Sequence, residues 1–191
     1  RGRIFDNLEE DKGQYNYAKE VFWATGACLF VRSTQFLEVG GLDEDFFAHQ
    51  EEIDLCWRLK NKGYTIMVEP KSIVYHVGGG TLQSNSPFKT YLNFRNNLYM
   101  LFKNLPITSL FIVFPIRLIL DGIAAFTFLK KRNGLQHYLM IAKAHLSFYL
   151  QIPKLIFKRV RITQKNNLNG KAKYSILLKN KIMGKKIFSD L

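Results

Sequence analysis

The chain has 191 residues, a net charge of +13 and 47% apolar residues, a composition that supports a folded domain with an appendage and excludes a disordered chain. Charge is unevenly divided. Residues 1–100 hold 11 Lys/Arg against 13 Asp/Glu, whereas residues 101–191 hold 17 Lys/Arg against only Asp121 and Asp190, so the whole basic excess lies in the second half. Such a segment seeks a polyanion. Its cations are interleaved with long aliphatic stretches, without a zinc pattern, an RNA-binding aromatic signature or a helix-turn-helix, which argues for an anionic membrane surface over nucleic acid.

Residues 1–20 are polar and loop-like, and their start has no apolar region of the kind a signal peptide requires. Glu20–Arg32 is rich in aromatic and β-branched residues and reads as a buried strand, with Gly26 marking a bulge or the close approach of another group. Ser33 or Thr34 can cap a short helix through Val39, which Gly40-Gly41 stops. Cys28 and Cys56 stand beside apolar residues and read as small buried hydrophobes instead of a disulfide.

A second helix is expected over about Gln50–Lys62, ended by Gly63, with Leu55 and Leu59 along one edge and Ile53, Cys56 and Trp57 along another. Its start gathers Glu51, Glu52 and Asp54. Carboxylates crowded this way repel one another, and a helix N-terminus, with its free N–H groups, favours their ionised form. They are the first candidates for chemistry. Asp54 can also pair with Arg58 at i+4. Tyr64–Val68 and Ser72–Val77 alternate as strands around Pro70, and the second leads through His76 into Gly78–Gly80, where a backbone without side chains admits a bulky or anionic ligand.

Leu105–Leu129 is long and apolar enough to cross a bilayer, yet Arg117 and Asp121 lie near its centre and Pro115 interrupts it. Each central charge costs about 2.5–3.5 kcal/mol on insertion scales, although at i, i+4 the two can neutralise each other. A helix in the membrane interface, or one packed in a hairpin, is the expectation, with a true span as the second reading. Leu135–Val160 continues in the same manner and gives way to a lysine-rich stretch. A helical bundle capping the first domain is the alternative that needs no membrane.

Taken together, Thr25-Gly26-Ala27, Val39-Gly40-Gly41-Leu42-Asp43-Glu44 with Phe46-Phe47, Glu51-Glu52-Ile53-Asp54-Leu55-Cys56-Trp57-Arg58-Leu59, Gly63-Tyr64, Pro70, Val74-Tyr75-His76-Val77-Gly78-Gly79 and Asn93-Phe94-Arg95-Asn96-Asn97 resemble the second half of a family 2 glycosyltransferase over about residues 20–105. From their charge and apolar pattern, residues 106–191 read as a mostly helical, basic, membrane-associating region, whereas the resemblance implies that residues 1–105 of this α/β chain are the acceptor-binding half of a GT-A, Rossmann-like domain. It implies transfer of a sugar, with inversion, from a nucleotide-diphosphate donor to a glycan or lipid-linked acceptor at the cytoplasmic face of a bacterial inner membrane. Glu52 matches the family's general base, where Asp is more frequent, and Glu51 a supporting carboxylate.

Around that base, Trp23, Gly26, His49, Asp54 and Arg58 are the expected substrate-binding set; Trp23 and Trp57 can offer flat faces to a sugar, although the helix pattern places Trp57 in the core. His76 matches a position near the diphosphate and a divalent metal, Mg²⁺ or Mn²⁺. The family's Asp-x-Asp metal motif is expected upstream of residue 1, which would make this chain a carboxy-terminal part. Asp43-Glu44-Asp45 satisfies that pattern only as text, because it belongs to the turn before the acidic helix. A non-catalytic membrane-surface adaptor is the competing class.

Overall fold

The computed structural model describes residues 3–4, 7–76, 86–130 and 133–165, with the isolated positions Asn180, Gly184 and Ile187. Helices dominate, and the strands form two short antiparallel ribbons, so the expected α/β layering is present only in part. Strand β1 (Arg3–Ile4) pairs with β2 (Asn7–Leu8), and β3 (Lys19–Glu20) pairs with β4 (Met67–Val68) in the register Lys19↔Val68 and Glu20↔Met67. The Val21 N–H donates to the Ile66 carbonyl at 2.9 Å, one further rung.

The strand expected over Glu20–Arg32 therefore stops almost where it starts. After Val21 no described backbone lies alongside to complete a ladder. The segment runs over the surface of a helix instead, setting Phe22 edge-on to Trp57 at 5.2 Å and placing the Ala24 N–H 3.5 Å from the Cys56 sulfur. A 3₁₀ turn at Gly26–Cys28 follows, and Phe30 is 99% exposed. Cys28 is exposed as well, so only Cys56 is the buried hydrophobe expected of both. Residues 72–76 form no strand either, with Tyr75 exposed; Val77 and Gly78–Gly80 lie outside the described residues.

The helices follow the sequence pattern closely. Helix α1 (Ser33–Glu38) is capped at Arg32 and not by a Ser or Thr side chain, and it ends at Gly40 and Gly41, whose φ of 83° and 65° glycine adopts without strain. Helix α2 (Glu51–Lys62) ends on Gly63 at φ 102°. Helix α3 (Pro87–Asn104) starts with proline at its first turn, where no N–H is needed, and stops where Leu105 turns extended before Pro106. Helices α4 (Ile107–Phe128) and α5 (Gly134–Val160) complete the chain's described part.

Trp57 of α2, Leu98, Tyr99 and Met100 of α3, and Phe148 and Leu155 of α5 share one core with Phe46 and Leu105. Phe148 is its hub, meeting Phe102 at 5.7 Å and Phe114 of α4 at 5.1 Å. Apolar packing runs straight across the α3–α4 turn at Leu105, where the sequence divides into its two expected parts.

Ionic pairs bind the same elements. Asp54 is fully buried and receives Arg58 at 2.8 Å, Lys103 at 3.0 Å and the Asn104 amide at 2.8 Å. Arg58 also donates to the Val39 and Gly41 carbonyls, fixing the glycine turn to α2. Asp43 receives Lys103 and Lys158, and Asp45 receives Lys154 and Lys158. Within α4, Arg117 and Asp121 make the expected i, i+4 pair at 2.7 Å, and His145 of α5 joins Asp121 at 3.2 Å.

Removing the carboxylate of Asp54 leaves Arg58 and Lys103 buried without their acceptor. Asp54→Ala is expected to lose about 3–5 kcal/mol, read as a lower urea midpoint. At Asp43, burial opposes ionisation but Lys103 and Lys158 outweigh it, holding the pKa at about 2, below the ordinary 3.8. The stability it contributes is complete above the ordinary value and lost as pH falls through the lower one. Urea midpoints measured across that window should fall less steeply in Asp43→Asn than in the parent.

Candidate functional site

The site begins with a turn that ought not to be comfortable. Asp43 caps a 3₁₀ turn, Glu44–Phe46, by accepting from the Asp45 N–H at 3.1 Å, and the chain then places Phe47, His49 and Gln50 in positive φ at 62°, 71° and 71°. Side-chain-bearing residues there cost of order 1–3 kcal/mol each and persist only where neighbours over-determine them.

Those neighbours come from one turn of α3. The Asn96 side-chain amide, itself fully buried, shares its two N–H groups among the carbonyls of Phe46 (3.0 Å), Ala48 (2.8 Å) and His49 (2.8 Å). Arg95 donates to the carbonyls of Asp45 (2.8 Å) and Phe46 (3.1 Å). Gln50 donates to the Asn93 carbonyl at 3.1 Å and accepts from Asn97 at 3.3 Å. The Asn93–Asn97 motif is thus a clamp on the turn that leads into α2. Sequence analysis found the motif by resemblance but assigned it no role; its partners lie 43–50 positions away, and local spacing carries no such information.

The clamp sets Glu51 and Glu52 in the first turn of α2. Glu52 is half-buried. Burial, reinforced by the charge of Glu51, raises its pKa above the ordinary 4.5 against the pull of backbone N–H groups at the helix start. One oxygen each of Glu51 and Glu52, the His49 Nε2 and the Asn97 Oδ1 are buried and find no hydrogen-bond partner among the described residues. Unpaired buried polar atoms are costly, and a cluster of them calls for a functional explanation. Burial, helped by Lys89, also lowers the pKa of His49, which favours the neutral imidazole.

Gly26 packs directly over Glu52. A methyl group added at its α-carbon would lie 3.7 Å from the Glu52 Cβ, so Gly26 makes the close approach expected of it. Trp23 is on the same segment with an exposed ring, whereas Trp57 is buried in the core. Asp54 and Arg58, expected among the substrate-binding residues, are corrected to scaffold: both are buried, and their polar atoms are taken by Lys103, Asn104 and the Val39–Gly41 turn. His76 is exposed. Among the described residues no group of three or more His, Cys, Asp or Glu could hold a metal ion, and Asp43 and Asp45 are already held by lysines. The described residues therefore do not by themselves supply the metal site that the resemblance implies.

The chain is 40% identical over 58 residues to the N-acetylglucosaminyl-diphospho-decaprenol L-rhamnosyltransferase of Mycobacterium tuberculosis, covering 30% of this chain and 19% of that protein. It is 28% identical over 85 residues to the low-salt glycan biosynthesis hexosyltransferase Agl10 of Haloferax volcanii (44% of this chain, 28% of that protein) and 36% identical over 56 residues to the rhamnosyltransferase WbbL of Escherichia coli (29% and 21%). The chain spans about a fifth to a quarter of the length of these relatives. No protein-family model and no solved structure matches it. The partial matches support a family 2 glycosyltransferase-like region within the chain.

The electrostatics of the acidic pair can be read directly. Carboxyl-carbon NMR titration should place Glu52 above the ordinary glutamate value, and Glu51→Gln should lower it, because ionising Glu52 no longer opposes a neighbouring negative charge.

Proposed function

We propose that the chain carries the acceptor side of a glycosyltransferase and that Glu52 is its general base. The carrying observation is a half-buried carboxylate with a raised pKa and an unpartnered oxygen, at the end of a strained turn that α3 clamps in place. In the reaction the acceptor hydroxyl donates its proton to Glu52 as its oxygen forms a bond to the anomeric carbon. The bond from that carbon to the diphosphate breaks on the opposite face, inverting the centre, and the nucleoside diphosphate leaves with the electron pair.

A raised pKa makes Glu52 a stronger base toward the acceptor proton. Glu51 and the neutral His49 supply further atoms that can hold the hydroxyls of a sugar acceptor, and Trp23 offers an exposed ring on the strand-like segment that passes Glu52. By their names, one relative sharing this region acts on N-acetylglucosaminyl-diphospho-decaprenol and another belongs to low-salt glycan biosynthesis. Those names support, as part of the proposal, a nucleotide-diphosphate sugar as donor and a glycan or lipid-linked acceptor at the cytoplasmic face of a membrane.

Helix α4 supports the membrane part of this reading. Its 22 residues are long and apolar enough to cross a bilayer, only 11% of its most apolar stretch is buried, and Phe111, Ile112, Ile116, Ile119, Ile123 and Phe126 stand exposed. The Arg117–Asp121 pair faces inward toward Phe94 and His145 and leaves that surface uncharged.

The decisive measurement is turnover of a nucleotide sugar with a lipid-linked acceptor by the full-length protein. Glu52→Gln is expected to reduce kcat by about 10²–10⁴ with little change in KM for the donor, and Glu52→Asp to retain part of the rate. Equal turnover by Glu52→Gln and parent would remove the assigned base.

A further inference from the structure

Beside the clamped turn lies a surface that the proton-transfer chemistry does not use. Phe47, 71% exposed in its left-handed turn, meets the exposed Phe88 edge-on at 6.2 Å, and Phe88 stacks on Tyr91 at 6.0 Å with their planes 21° apart. This aromatic strip is held firmly: the Tyr91 hydroxyl donates to Ser147 at 3.2 Å and accepts from Arg95 at 3.3 Å. Cations border it. Lys143 of α5 lies 5.5 Å above the Tyr91 ring, and Lys89 follows Phe88 in the first turn of α3. Phe47 stands in the turn that leads into α2, so the strip borders Glu51 and Glu52 at one end.

At the other end it continues into an apolar surface. Leu139, Lys143, Leu146 and Leu150 are spaced by four, three and four residues on α5, which puts them on one helix face, and all three leucines are exposed. The order along the surface is therefore carboxylates, then aromatic rings flanked by two lysines, then leucines. A ligand matching that order has a polyhydroxyl end, an anionic middle and a hydrocarbon tail.

We propose that Phe47, Phe88 and Tyr91, with Lys89 and Lys143, bind the phosphate and the first part of the lipid in a lipid-phosphate-linked sugar acceptor, whose sugar reaches Glu52 and whose chain follows the leucine face of α5. This assignment rests on the transferase reading and specifies its acceptor. Two lysines pair with a phosphate group, and the flat rings cover the adjoining unsaturated or saturated chain. Charge complementarity favours the phosphate-linked lipid over a neutral glycolipid.

The test uses the full-length protein in neutral detergent with geranylgeranyl phosphate as probe, and with geranylgeraniol and inorganic phosphate as comparison ligands. The phosphate lipid is expected to bind on the order of tenfold more tightly than either. Lys89→Gln with Lys143→Gln should bring it to the level of the alcohol, while Lys89→Arg with Lys143→Arg retains it and shows that the fold is intact. The proposal is overturned if alcohol and phosphate lipid bind alike, if inorganic phosphate binds as well as the lipid, or if the double glutamine variant binds as the parent does. It is equally overturned if phosphatidylglycerol displaces the probe as effectively as unlabelled geranylgeranyl phosphate, since the surface would then recognise bilayer headgroups. Glu52→Gln is expected to bind the probe normally, so failure of the binding arm with loss of turnover in Glu52→Gln refutes this site alone. Probe binding with undiminished turnover refutes the base alone.

Discussion

Asp54 ties the two helices on which everything else rests. Its carboxylate is removed from solvent and surrounded by Arg58 on its own helix and Lys103 and Asn104 on α3, so α2 and α3 are fixed in both position and register. A buried ion pair adds little stability over an apolar replacement, but a broken one is costly, and its directional demands select a single arrangement. That arrangement places the middle of α3, seven to eight residues before Lys103, against the turn entering α2. Without the tie at one end of the helix pair, the Asn96 clamp at the other would have no fixed target.

The clamp explains why a strained turn can stand beside the acidic pair. Positive φ at three non-glycine residues within four positions is opposed by intrinsic backbone preference. The Asn96 and Arg95 hydrogen bonds offset it because each takes a carbonyl that the irregular path would leave unpaired, and the Gln50 side chain adds a tie to the Asn93 carbonyl of α3. What the strain achieves is direction. It turns the chain so sharply that α2 begins with the Glu52 side chain beside the Gly26 turn, half out of water, where burial raises its pKa. A methyl group at position 26 would meet the glutamate at ordinary contact distance, so the approach leaves room for little more than that.

Local chemistry made much of this legible. The terminators Gly40-Gly41 and Gly63 and the apolar period located α1 and α2 within a few residues, and the apolar stretches Leu105–Leu129 and Leu135–Val160 located α4 and α5, whereas α3 was not foreseen. The i, i+4 pairs Asp54–Arg58 and Arg117–Asp121 were equally readable. The strand over Glu20–Arg32 was not, since a strand exists only with a neighbour and the residues that could have signalled one are equally at home lying on a helix. The placement of Asp54 and Arg58 in the interior failed for the same reason: Lys103 and Asn104, which enclose the aspartate, are some fifty positions distant. Glu52 and Gly26 were found separately, one from its crowding with other acids and one from an unexpected glycine in an apolar run; only the structure brings them together.

The charge division between the halves also takes on a different meaning. Lys103, Lys154 and Lys158 belong to the basic half, and they neutralise Asp43, Asp45 and Asp54 of the acidic half. Part of the imbalance along the sequence is therefore an internal attraction, drawing α5 down onto the turn before α2, and it is not available to an external polyanion. What remains outward on α5 is sparser and more specific. Lys143 lies over Tyr91 among exposed leucines, which is a poor design for a phosphate backbone and a good one for an amphipathic molecule. The same helix that closes the fold through one set of lysines thus presents another outward, and the register between the two is set by helical spacing alone.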